Sequence, residues 1–110
     1  MTTAEIYRSK DGTGQGFFIS GHAQERRTAV YDLICAAISA VAFTAVGALE
    51  ELCGVKEYEE SDGNLKMLLP KSLTGEEMAK AQVILDTLEI GLKQIARQYP
   101  RHIRVVLKEV

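Results

Sequence analysis

The sequence predicts an α+β fold in the order ββαββαβ, an antiparallel or mixed β-sheet carrying two main helices. Three observations predict it. Short strand-like runs flank turn residues at 11–14 and again at 61–64, the run from 33 to 49 is apolar apart from Ser39 and Thr44, and a later stretch carries an apolar stripe stepping by three and four. At 110 residues the chain is long enough for one core and too short for two, so positions 1–110 read as a single domain.

Residues 4–8 alternate, Asp11-Gly12-Thr13-Gly14 supplies a turn, and Phe17-Phe18-Ile19-Ser20 follows, which reads as a β-hairpin. The stretch 21–31 has no sustained period and reads as a solvated loop. Asp32 is placed to cap a helix over about 33–52, which Gly54 stops. That helix is apolar on nearly every face, so it is expected to be central and covered on most sides. Residues 55–60 and 65–69 flank Ser61-Asp62-Gly63-Asn64 and form a second hairpin. Thr74-Gly75-Glu76-Glu77 has the form of a capping box, in which the Thr74 hydroxyl and the Glu77 carboxylate each serve the other's backbone N–H. The helix it opens carries Met78, Ala81, Leu85, Leu88, Leu92, Ile95 and Tyr99 on one stripe, with Lys80, Asp86, Glu89, Lys93 and Arg97 off it. Pro100 ends it, and Ile103, Val105 and Leu107 alternate along a last strand.

Thirteen Lys and Arg stand against fifteen Asp and Glu, a net charge of −2, so there is no basic surplus for phosphates and no direct nucleic-acid binding is expected. Cys35 and Cys53 are separated by a helix, too far apart to bridge, and should be free thiols. The first ten residues are polar and lack the apolar stretch of a secretory signal, which favours the reducing cytoplasm. The apolar run of 33–49 falls short of the ~20 residues a bilayer needs and runs into Glu50 and Glu51, so no membrane is expected. Neither a metal nor an organic cofactor is expected: there is no Cys-x-x-Cys, the two histidines are far apart, and Gly12-Thr13-Gly14-Gln15-Gly16 precedes a strand and not a helix.

Cys35 stands out as a nucleophile because the reading places it in the first turn of a helix, three residues after Asp32. There the positive end of the helix dipole favours a thiolate, and first-turn amides can hold the oxyanion formed when sulfur attacks a carbonyl. A small buried hydrophobe is the competing reading, as it is for Cys53. His22, after Gly21 at the end of the second strand, is the candidate base, whereas His102 reads as a surface residue at the start of an edge strand. Asp32 has two readings, as helix cap and as the group that orients the imidazole. Ser39 lies one turn after Cys35 on the same face, and with Gly21 and Ala23 it is a possible pocket residue. Arg26 and Arg27 read as part of a charged loop.

Ser20-Gly21-His22-Ala23, followed by Asp32-Leu33-Ile34-Cys35-Ala36-Ala37-Ile38-Ser39-Ala40, resembles the ribosomal-processing cysteine proteases. The likeness extends to residues 81–88 and 91–96 in the second helix and so covers essentially the whole chain. The resemblance implies a cysteine endopeptidase with Cys35 as nucleophile and His22 as general base. It also implies a substrate, the N-terminal extension of the twenty-seventh bacterial large-subunit ribosomal protein, cut after an aromatic residue in support of ribosome assembly, and it implies a homodimer. The segment 24–31 departs from the family's pattern by lacking glycines and by about one residue of extra length. Two other function classes fit the composition: a ribosome-associated protein that binds a peptide without cutting it, and a dimerisation module.

Overall fold

A computed structural model describes residues 1–21 and 28–110 of the chain. In β1 (Thr2–Arg8), Thr2, Ala4 and Ile6 point to the core, as the period of two dictates, and β2 (Gly14–Ser20) answers with Phe17 and Ile19. The two strands pair antiparallel with Ile6 opposite Phe17. Gly16 has a φ of 151°, and a Cβ there would come within 2.1 Å of the Met67 carbonyl oxygen, so only glycine lets β2 approach the neighbouring strand at this point. The Gln82 amide reaches across from a helix to hold Gly14 at both its N–H and its C=O.

The first helix, α1 (Ala29–Cys53), starts earlier than expected. The Thr28 hydroxyl caps it by accepting the Tyr31 N–H over 3.0 Å, and the Asp32 N–H donates to the Thr28 carbonyl, so Asp32 lies inside the first turn and is not the cap. Cys35 is therefore seven residues beyond the cap and not three. Gly54, in the left-handed region at φ 71°, ends the helix by donating to Glu50, while Val55 donates to Leu49. The expectation that α1 is covered on most sides also gives way. Ile34, Ile38, Ala42, Ala45, Val46 and Leu49 form one buried stripe, but only 33% of its most apolar window is buried and Leu33 is 69% exposed. The reason is layering: α2 and the sheet approach α1 from one side only. In length and hydropathy α1 could cross a membrane; its buried stripe belongs to the core.

Residues 55–58 are irregular, not a strand, because the chain leaves Gly54 across the end of α1 and Tyr58 packs edge-to-face on Phe43 with ring centroids 6.5 Å apart. Pairing begins only at β3 (Glu59–Ser61), which turns through Asp62-Gly63 into β4 (Asn64–Leu68). The expected capping box is present at Thr74, whose hydroxyl accepts from Glu77 and whose N–H donates to the Glu77 carboxylate, opening α2 (Gly75–Gln98). Ala81, Leu85, Leu88 and Leu92 on its stripe are buried.

β5 (Ile103–Glu109) pairs parallel with β1, Thr2 opposite Ile103, which makes the sheet mixed with the order β3-β4-β2-β1-β5. Phe17, Ile6, Leu49, Met67, Leu85, Leu92 and Ile103 fill the space between sheet and helices, each contributing roughly 1.5–3 kcal/mol by leaving water.

Candidate active site

The local sequence of α1 sets out three polar side chains on one line. Asp32, Cys35 and Ser39 stand at i, i+3 and i+7, so they share a face of the helix. Asp32 is exposed, and Cys35 and Ser39 are half-buried. The flanking Ile34 and Ile38 are 3% exposed, which fixes the rotation of the helix and turns the line toward its border with the sheet. Cys35 thus combines access with a rigid mount, as a nucleophile requires. Cys53 is the opposite case: it is buried at the far end of α1, and burial pushes its thiol up from the ordinary range.

Ser39 opens onto a cleft of about 490 Å3 between α1 and the β3–β4 hairpin. Ile19, Ile38, Ala42 and Leu65 supply its apolar floor, and Phe43, Glu60 and Asp62 stand around it. Ser39 was expected to share a pocket with Cys35; the cleft is lined by Ser39 but not by Cys35. Ile19 brings the end of β2 to the same cleft, and the chain leaves β2 through Gly21, whose φ of 99° few other residues adopt. The Gly21 backbone lies close against Met1: a Cβ at Gly21 would sit 3.1 Å from the Met1 carbonyl oxygen. Ser39 thus lines the cleft, while Gly21, two residues beyond Ile19, is not among its lining residues. His22 and Ala23, together with Arg26 and Arg27, lie outside the described residues, as does most of the glycine-free segment, whose last residues, 28–31, cap and begin α1.

The late position of Cys35 changes its chemistry. An amide seven residues past the cap belongs to the helix's own i→i−4 ladder, and the dipole's effect falls off within the first turn. The first-turn amides are thus not at the sulfur, and the expected activation by the helix terminus does not hold. His102 is placed elsewhere, in the turn after α2, where its N–H donates to the Tyr99 carbonyl and its ring meets Tyr99 edge-on. Among the described residues no three His, Cys, Asp or Glu side chains gather as a metal ion would need. The hairpin acids and Phe43 were not singled out from sequence, although the run containing Glu57, Glu59, Glu60 and Asp62 was the available signal.

The family model described as cysteine protease Prp matches residues 1–104. The chain belongs to the Prp family. It is accordingly a cysteine protease, a hydrolase of peptide bonds. A ribosomal processing cysteine protease Prp of Bacillus subtilis is 34% identical over 108 residues, covering 96% of each chain. The Prp of Staphylococcus aureus is 28% identical over 111 residues, covering 98% of this chain and 100% of its own. A crystal structure of an S. aureus Prp in complex with a substrate peptide superimposes with a TM-score of 0.79 at 25% identity, over 98% of this chain and 100% of that one. The Prp fold is thus the ββαββαβ arrangement seen here, with the mixed five-stranded sheet and two helices.

Proposed function

We propose that this chain removes the N-terminal extension of a bacterial large-subunit ribosomal protein, the twenty-seventh, in the cytoplasm. The observation that carries the reading is the half-buried Cys35 on a rigid helix face, one turn from a peptide-sized cleft beginning at Ser39. The relatives are named for ribosomal processing, and one holds a substrate peptide on the same fold.

In this reading His22 takes the Cys35 thiol proton, and the sulfur attacks the scissile carbonyl carbon. The C–N bond then breaks, and the imidazolium returns its proton to the departing amine. Water activated by the same imidazole hydrolyses the thioester and frees the thiol. Because the helix dipole does not reach Cys35, His22 carries the activation, and Asp32 on the same helical face is the candidate to orient it. No cofactor enters any step.

A homodimer belongs to the same proposal. The outer faces of α1 and α2 leave Leu33, Val83 and Ile90 more than half exposed, and the two helices frame an apolar groove of about 440 Å3 along Val41, Ala45, Val83 and Leu88. Apolar surface of this kind gains from a second copy.

The test is a cleavage assay on the N-terminally extended ribosomal protein, read by product mass. A cut after an aromatic residue by the unaltered chain, absent with Cys35→Ala and strongly slowed with His22→Ala, is the expected result. Cleavage retained by Cys35→Ala overturns the nucleophile. Peptide bound but left intact favours a peptide-binding protein instead.

A further inference from the structure

We infer that the cleft beside Ser39 selects a cationic side chain of the substrate, held by Glu60 and Asp62; the inference rests on the reading of Cys35 as the nucleophile. Register carries the first part. Glu60 pairs directly with Leu65 in the β3–β4 ladder, and residues directly opposite in a pair point to the same face. Leu65 is buried on the helix side, so Glu60 turns its carboxylate toward α1, over the apolar floor. Asp62, in the following turn, stands at the same rim.

Charge carries the second part. Glu60 and Asp62 are both exposed, and among the described residues no Lys or Arg pairs with either of them, whereas Glu59, directly opposite Lys66, faces the other side of the sheet. These two like charges on an edge hairpin remain open to a counter-charge from outside. An apolar floor under a carboxylate rim fits a Lys or Arg side chain, whose stem covers apolar surface while its head meets the acids. A protein that lives on RNA is rich in such residues because it must neutralise phosphates, so a ribosomal substrate supplies the complement.

Distance sets the place. Ser39 is one helical turn, about 6 Å, from Cys35, and Phe43 a further turn along. At roughly 3.3 Å per extended residue, the cation falls about two to four residues from the scissile bond. An inward charge on an edge strand also deters sheet-to-sheet pairing, but that role is indifferent to sign.

The experiment compares peptides identical except for lysine or norleucine two to four residues to either side of the aromatic cleavage residue. Their kcat/KM ratio is measured with the unaltered chain, with Glu60→Gln/Asp62→Asn, and with Glu60→Lys. Binding of the same peptides to Cys35→Ala is followed by fluorescence anisotropy at low and high salt. We expect a preference of about tenfold for lysine at one position, its collapse toward unity in the double variant and its reversal in Glu60→Lys, with binding to Cys35→Ala weakening as salt rises. Equal use of the two peptides by the unaltered chain, or an undiminished preference in the double variant, overturns the inference. If the unaltered chain cuts no peptide, the protease reading fails by itself, and the anisotropy ratio still decides the cation preference.

Discussion

The side-chain amide of Gln82 exchanges two hydrogen bonds with the backbone of Gly14: the Gly14 N–H donates to Oε1 over 2.7 Å, and Nε2 donates to the Gly14 carbonyl over 2.8 Å. Here α2 serves the start of β2 in place of a neighbouring strand, where the bulge at Tyr7/Arg8 breaks the ladder. Gln82→Ala strands both groups and should cost about 1–3 kcal/mol in urea unfolding. Gln82→Glu keeps an acceptor and loses the donor, so it should restore only part of that loss.

Arg8, on the same end of β1, reaches Glu89 at 2.6 Å and Asp86 at 2.9 Å, and Lys93 closes on Glu89 from the next turn. Burial pushes the Glu89 carboxyl up, but its bonds to Lys93 and Arg8 outweigh this and leave it below the usual range. A depressed carboxyl contributes stability above its unfolded pKa of about 4.3 and loses it as pH falls through the folded value. Glu89→Gln should therefore cost about 2 kcal/mol near neutral pH and progressively less below about pH 4, a convergence that paired unfolding curves will show.

Thr28 sets where α1 begins. Thr28→Ala should lower stability by about 1 kcal/mol, and Thr28→Ser should preserve it. Because Cys35 rides on the same helix, fraying should also reduce turnover of a peptide substrate, and the serine variant should rescue stability and turnover together.

Ser39→Phe places a ring at the mouth of the cleft. In the proposed reading, peptide kcat/KM should fall more than tenfold, while alkylation of Cys35 by iodoacetamide continues at a similar rate. A parallel fall in both would place the effect on the thiol and not on the cleft.

Val83→Glu and Ile90→Glu introduce charge on the exposed apolar face of α2. On the proposed homodimer reading, sedimentation should show the unaltered chain dimeric and these variants monomeric at the same concentration, with melting temperature changed by only a few degrees.

Much of this fold was legible because its signals are local. The Thr74 capping box depends on residues three apart, and the α2 stripe on a period of 3.6. The start of α1 was read one turn late because Thr28 and Asp32 are both competent caps. The choice between them lies in a hydroxyl contact to Tyr31 that pattern does not encode. Glu89 was read only as lying off the apolar stripe of α2; a partner far away in the chain, Arg8, allows it to be buried. The site divides the same way. The spacing of Asp32, Cys35 and Ser39 was visible, whereas the cleft beside them exists only once the β3–β4 hairpin folds against α1.

The parallel pairing of β1 with β5 has a consequence for how the enzyme comes into being. Thr2 finds its partner in Ile103, so β1 keeps one edge unmatched until β5, on the far side of both helices in the chain, is in place. A pairing of such high contact order closes late, after the local hairpins and helices have formed. The Gly21 backbone, close against Met1, leaves the sheet beside that same strand. A folding chain should thus carry Cys35 on a finished helix before the sheet around it is complete, and proteolytic competence should arise only once β5 has docked on β1.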